Sequence, residues 1–269
     1  MSNPPLFIIR HLLFDGYLRK VLRFSIIFAL VYPKTMKDAS DKAWVRRCMS
    51  AAEPILRLKT IGEENILSDQ GPSVFICNHG EIYGAIAAVM YLPVHFRIWA
   101  HDKMLDREKA AATMMETYKE RFPLLIKGVK NRMIWRISKP VTDAICSLDP
   151  IPVSRENPIC MIDTINESVD ALCAGDNLLI FPEKPENRYN GDAFRNMYPV
   201  FGILGLKYFE RTGKRLLFYP AFSNSETKTF TIGKPVVYIP GTDPREEIER
   251  IVSEIESRMV QLSEQNNKN

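Results

Sequence analysis

A chain of 269 residues with 46% hydrophobic content can bury the core of one large domain, so nothing in its composition calls for a second. A net charge of +4 excludes the dense basic surface of a dedicated nucleic-acid binder, while leaving room for a face turned toward anionic lipid or phosphate. Five cysteines (Cys48, Cys77, Cys146, Cys160, Cys173), scattered and without a Cys-x-x-Cys pair, exclude a disulfide framework and a cysteine zinc site and read as reduced thiols.

The first predicted element is the apolar stretch from Leu6 to Tyr32. Arg10, Asp15, Arg19, Lys20 and Arg23 interrupt it, and the uncharged run Phe24 to Tyr32 is shorter than the about 20 residues that span a bilayer. Phe14, Leu18, Val21 and Leu22 recur at helical spacing, Arg19, Lys20 and Arg23 share another face, and Asp15 stands one turn before Arg19. That pattern fits a helix lying in the headgroup layer of a membrane, and equally an amphipathic helix packed on the core. Pro33 ends it. The predicted division is therefore an interfacial helical segment over residues 1–33 and an α/β domain over 34–269. Asp38 to Ala52 reads as a helix, and Ile55 to Ile61 as a strand that closes on Gly62.

Ser73-Val74-Phe75-Ile76-Cys77 is an apolar run that stops on Asn78-His79, before small-residue helical sequence resumes around Gly84 and Ala85. A strand end followed by a helix is where open α/β sheets place their ligand crevice, and an imidazole there can move a proton near neutral pH. Cys77 offers a second reading, a thiol nucleophile beside His79, although a cysteine closing an apolar strand is usually inert core. A helix over Ala85 to Met90 and a strand over Val94 to Trp99 follow. His101-Asp102 reads as a solvated loop, because adjacent residues diverge on a regular element. Asp102 to Arg121 is charged, surface-facing helix, and Lys127 to Pro140 mixes Lys127, Lys130, Arg132, Arg136 and Lys139 with Met133, Ile134 and Trp135, as a helix with one wet side does.

Ile151 to Arg155 is a strand delivering Arg155 at its end, and a guanidinium can hold two phosphate oxygens at once. A helix from Pro158 to Ala174 leads to a buried strand, Asn177 to Phe181, which runs into Pro182-Glu183-Lys184-Pro185-Glu186-Asn187-Arg188. Glu183 at that strand end can orient cationic side chains or hydroxyl groups. The remaining expectations are a helix over Tyr198 to Arg211, a buried strand over Leu216 to Ala221, strand sequence from Lys228 to Ile239 around Gly233-Lys234-Pro235, and a helix capped by Asp243 and running to about Leu262. Strands alternating with helices predict an α/β fold whose central sheet is mixed but largely parallel and flanked by helices, in a single domain.

Taken in order, Gly62-Glu63-Glu64-Asn65, Asn78-His79, Arg155, Phe181-Pro182-Glu183 and the Pro220 and Gly233-Lys234-Pro235 strand ends resemble the blocks of the glycerolipid acyltransferase family (1-acyl-sn-glycerol-3-phosphate, PlsC-like), over roughly residues 55 to 240. The resemblance implies transfer of an acyl group from acyl-CoA or an acyl carrier protein to a hydroxyl of a lysophospholipid such as 1-acyl-glycerol-3-phosphate. In it His79 is the general base, with Asn78, Arg155, Glu183, Lys184 and Arg188 on the substrate. It implies no metal and no cofactor beyond the thioester co-substrate, no nucleic-acid partner, and a peripheral or monotopic place on the cytoplasmic face of a membrane. Three departures stand out. The family's pattern of His, four residues and Asp lands on Gly84; Lys184 stands where Gly is usual; and the block's Arg comes late, as Arg188. Glu81 is the nearest carboxylate that can take the missing acid's part. The alternative is a member that has kept fold and docking but not catalysis, and binds lipid or a partner.

Overall fold

The computed structural model describes residues 57–80, 83–117, 127–154, 158–184 and 197–265. The predicted interfacial segment, the helix expected over 38–52, and Glu81, Arg155 and Arg188 lie outside these residues. Eight strands are present among them: β1 (Lys59–Ile61), β2 (Ser73–Cys77), β3 (Phe96–His101), β4 (Ile151–Val153), β5 (Asn177–Ile180), β6 (Leu217–Asn224), β7 (Thr229–Ile232) and β8 (Val236–Val237). The helices are α1 (Tyr83–Tyr91), α2 (Arg107–Thr117), α3 (Lys127–Cys146), α4 (Pro158–Ala174), α5 (Ile203–Thr212) and α6 (Pro244–Gln265). Contacts divide the described chain into two compact units, one within Lys103–Ser147 and the other within Leu56–Asp102 and Leu148–Asn269.

In the larger unit the strands form one sheet in the order β1-β7-β6-β2-β5-β3-β4, with β8 also on β6. Only the β6–β7 and β6–β8 pairs are antiparallel, so the expected mixed, largely parallel sheet is what forms. β2 occupies its middle because all five of its residues are buried, with β5 on one side and β6 on the other. A strand wet on one face would alternate; an unbroken apolar run needs cover on both. Val74 and Ile76 face one way, into a cluster with Leu178 and Ile180 of β5, Leu172 of α4, Leu204 of α5 and Ile255 of α6. Phe75 faces the other way and stacks on Tyr219 at 5.1 Å between centroids. Burying each such side chain contributes about 1.5–3 kcal/mol.

Local chemistry sets the element ends. Gly62 has φ +85°, and a Cβ there would stand 2.1 Å from the Ile232 carbonyl, so only glycine fits this turn. Three residues on, the Asn65 amide donates to the same carbonyl at 2.8 Å, tying the end of β1 to the end of β7. Asp243 caps α6 by accepting the Arg245 and Glu246 N–H groups at 2.9 and 3.2 Å. Buried Glu247 in the same first turn accepts the Ile239 N–H at 2.7 Å and is gripped by Arg250 through two bonds of 2.7 and 2.6 Å. The strand β6 runs three residues beyond the predicted Ala221, because Phe222, Ser223 and Asn224 continue into the hairpin with β7.

In the smaller unit α2 and α3 pack together, with Ala110, Ala111 and Met114 of α2 and Ile134 of α3 buried. Asp106 caps α2, and the Arg107 guanidinium lies 4.3 Å from the ring centre of half-exposed Trp135. α3 continues through Pro140 to Cys146.

Candidate active site at the carboxyl ends of the central strands

β2, β5 and β6 run parallel, so their carboxyl ends lie along one edge of the sheet. The last paired residues of β2 and β6 are Cys77 and Ala221. Beyond them the β2 backbone turns away, and the side chain of Asn78 takes over the pairing. Its Oδ1 accepts the Ser223 N–H at 2.8 Å and the Ser223 hydroxyl at 3.1 Å, while its Nδ2 donates to the Ser223 carbonyl at 3.0 Å.

His79 follows. Glu183, just past the end of β5 and 3% exposed, accepts the His79 peptide N–H on Oε1 at 2.9 Å. Phe181 of the same segment meets the imidazole edge-on, at 5.4 Å between centroids and 80° between planes. The His79 carbonyl accepts the Gly84 N–H at 3.1 Å. Both peptide groups flanking the imidazole are thus held, one from β5 and one from the start of α1.

Gly84, where the resembled pattern leads one to expect an acid, is tightly enclosed. A Cβ on Gly84 would lie 2.1 Å from the Asn78 carbonyl oxygen and 2.8 Å from that of His79. Both obstacles are backbone, so the first turn of α1 is closed against the end of β2 around a residue without a side chain.

Cys77 is fully buried, and burial first, then the negative charge of Glu183, pushes its thiol well above the ordinary range. A thiolate there is disfavoured, which argues against the cysteine-nucleophile reading. The Lys184 ammonium lies 5.6 Å from the ring centre of Tyr198, whose N–H donates to the Pro182 carbonyl at 2.9 Å.

The fold thus brings Asn78, His79 and Glu183 together from segments about a hundred residues apart, with Lys184 next in the chain. Phe181 packs against the imidazole, a contact that the block Phe181-Pro182-Glu183 carries without declaring it. Ser223 is absent from the sequence reading altogether. One expectation is corrected. His101 ends β3 and Asp102 opens a tight turn, Asp102–Leu105, which swings the Asp102 carboxylate to 2.8 Å from the His101 Nδ1 instead of letting the two diverge. Among the described residues there is no group of three or more His, Cys, Asp or Glu side chains able to hold a metal ion.

No family model matches the sequence, and no curated protein matches it. Among solved structures, the chain is similar to the 1-acyl-sn-glycerophosphate (LPA) acyltransferase PlsC from Thermotoga maritima, at 14% identity and a TM-score of 0.48, over 92% of this chain and 97% of that one. A likeness at that level carries no weight for function, which has to come from the residues of this chain.

Proposed function

We propose that the protein is an O-acyltransferase, moving a fatty acyl group from acyl-CoA or an acyl carrier protein to a hydroxyl of a lysophospholipid such as 1-acyl-glycerol-3-phosphate. The observation that carries this reading is His79 at the carboxyl end of the central strand, with its peptide N–H held by the buried carboxylate of Glu183. The order of blocks in the sequence supplies the reaction class. His79 accepts the acceptor's hydroxyl proton as the oxygen attacks the thioester carbonyl. The tetrahedral intermediate collapses with cleavage of the C–S bond, and the imidazolium returns the proton to the departing thiolate. The negative charge of Glu183 favours the imidazolium formed in between. Arg155 and Arg188 would hold the acceptor's phosphate, Lys184 would add a third cation, and Glu81 would supply a carboxylate to the imidazole.

In this proposal residues 1–33 dock the chain on the cytoplasmic face of a membrane. Among the described residues no helix is long and apolar enough to cross one.

Thiol release from acyl-CoA in the presence of a panel of lysolipids tests the reading. Replacing His79 by Ala is expected to lower the rate by at least about 100-fold. Equal background rates in the natural chain and His79→Ala would reject it. The second reading, a lipid-binding or partner-binding protein without turnover, is favoured by one observation, the closed turn at Gly84. Lysolipid binding in equilibrium dialysis, with no thiol release, is the result that selects it.

A further inference from the structure

Resting on that reading of His79, we infer that Ser223 and Asn78 form a positioning pair for the imidazole, and that the Asn78 carboxamide acts through His79 instead of touching the substrate. Both residues are buried, at 4% and 6% exposure, in a site where the only way for a polar group to avoid the cost of desolvation is to be bonded. An asparagine side chain offers two lone pairs and two N–H groups. Here the N–H and the hydroxyl of Ser223 take the oxygen, and one amide N–H goes to the Ser223 carbonyl. The Cys77 thiol adds a weaker contact to the same oxygen at 3.7 Å.

A carboxamide bonded in this way reproduces a peptide unit. It extends the β2–β6 ladder one step beyond Cys77 and Ala221, at the residue where the β2 backbone departs. The Cα of Asn78 is thereby tied to β6, and the peptide that links it to His79 is held by Glu183 from β5 on the opposite side. The direction in which the His79 side chain leaves the backbone is therefore fixed by the two strands flanking β2. Ser223 contributes twice, through a main chain that any residue would supply and through a hydroxyl that only Ser or Thr supplies.

The test uses the full chain labelled with 15N-histidine. It contains four histidines (His11, His79, His95, His101), and the His79 side-chain signals are identified by their loss in His79→Ala. Removing the Ser223 hydroxyl in Ser223→Ala deletes one of the bonds to Asn78, and kcat for thiol release is expected to fall about threefold to tenfold with KM unchanged. Ser223→Thr is expected to restore most of the loss. Asn78→Ala, which removes the whole carboxamide, should lower kcat by about 100-fold and shift the His79 nitrogen resonances, which report its tautomer and surroundings. Ser223→Ala should move the same resonances by less.

A folded Ser223→Ala protein with the natural kcat and natural His79 resonances overturns the inference, as does an Asn78→Ala protein that raises KM alone. If the natural chain shows no transferase activity but the resonances shift as expected, the pairing stands and the acyltransferase reading falls. Activity without any shift has the opposite meaning.

Discussion

The closed turn at Gly84 yields the sharpest prediction, because of the three departures from the resembled pattern it is the one whose surroundings are built from backbone. Introducing an acid there by Gly84→Asp is expected to fail. A Cβ in ordinary contact stands 3.4–4 Å from its neighbours, and the new Cβ would begin 2.1 Å from the Asn78 oxygen, with the His79 carbonyl at 2.8–2.9 Å behind it. Two peptide groups must then move by about 1 Å, and the bond from the Gly84 N–H to His79 is the first to break. Overpacking of this kind, with a lost hydrogen bond, costs about 2–4 kcal/mol, or a fall in Tm of roughly 5–15 °C for a chain of this size. Gly84→Ala carries the same Cβ without the carboxylate and should lose as much. Thermal unfolding followed by circular dichroism measures both variants, and thiol release from acyl-CoA measures their turnover, which should not rise in either. A Gly84→Asp protein as stable as the natural chain and at least tenfold faster would refute the steric argument and show that the turn opens at little cost.

Alkylation with iodoacetamide at pH 8, read by peptide mass spectrometry, should label exposed Cys173 and leave Cys77 unmodified until the protein is denatured, since burial and the charge of Glu183 both hold the Cys77 thiol protonated. Equal labelling of the two would contradict the buried placement of Cys77. Glu247→Gln should destabilise the protein by about 1.5–3 kcal/mol at pH 7, because it takes away the buried carboxylate that Arg250 grips through two bonds and leaves that guanidinium with Glu254 alone as its charged partner. Burial opposes the charge on Glu247, but the bonds from Arg250 and the Ile239 N–H outweigh it and hold the carboxyl below the usual glutamate range. Its contribution is thus complete above the unfolded value, about 4.5, and disappears as the pH falls through the lower folded value. Denaturant titrations at several pH values should show the gap between natural chain and variant narrowing only below that point; a gap independent of pH would be inconsistent with a paired carboxylate.

The parts of the fold that the sequence made legible are those with period and punctuation. The helix Pro158–Ala174 matches its predicted limits because a proline opens it and Gly175 closes it. β2 was readable because five consecutive buried residues end abruptly on a polar pair. The site was readable where a side chain has chemistry of its own, as at His79 and Glu183. Ser223 was not, because a lone serine in an apolar strand carries no pattern, and most of what it does is done by its main chain, 145 residues from Asn78. The pairing of His101 with Asp102 was hidden for a related reason: it depends on the backbone leaving the extended conformation between the two, which no spacing rule reveals. At Gly84 the sequence shows a glycine where the resembled pattern would have an acid, and only the geometry shows that a side chain there would meet two backbone carbonyls.

The margins of the sheet have a consequence for behaviour in solution. β1 and β4, at the two ends of the strand order, are three residues long each. β1 leads with exposed Lys59, and the middle residue of β4 is exposed Pro152, which has no N–H to offer a further strand. Long, flat borders recruit other chains into shared sheets, whereas these present a charge on one side and a gap in the donor row on the other. Borders of this kind let copies of the chain meet at high concentration without extending one another's sheets.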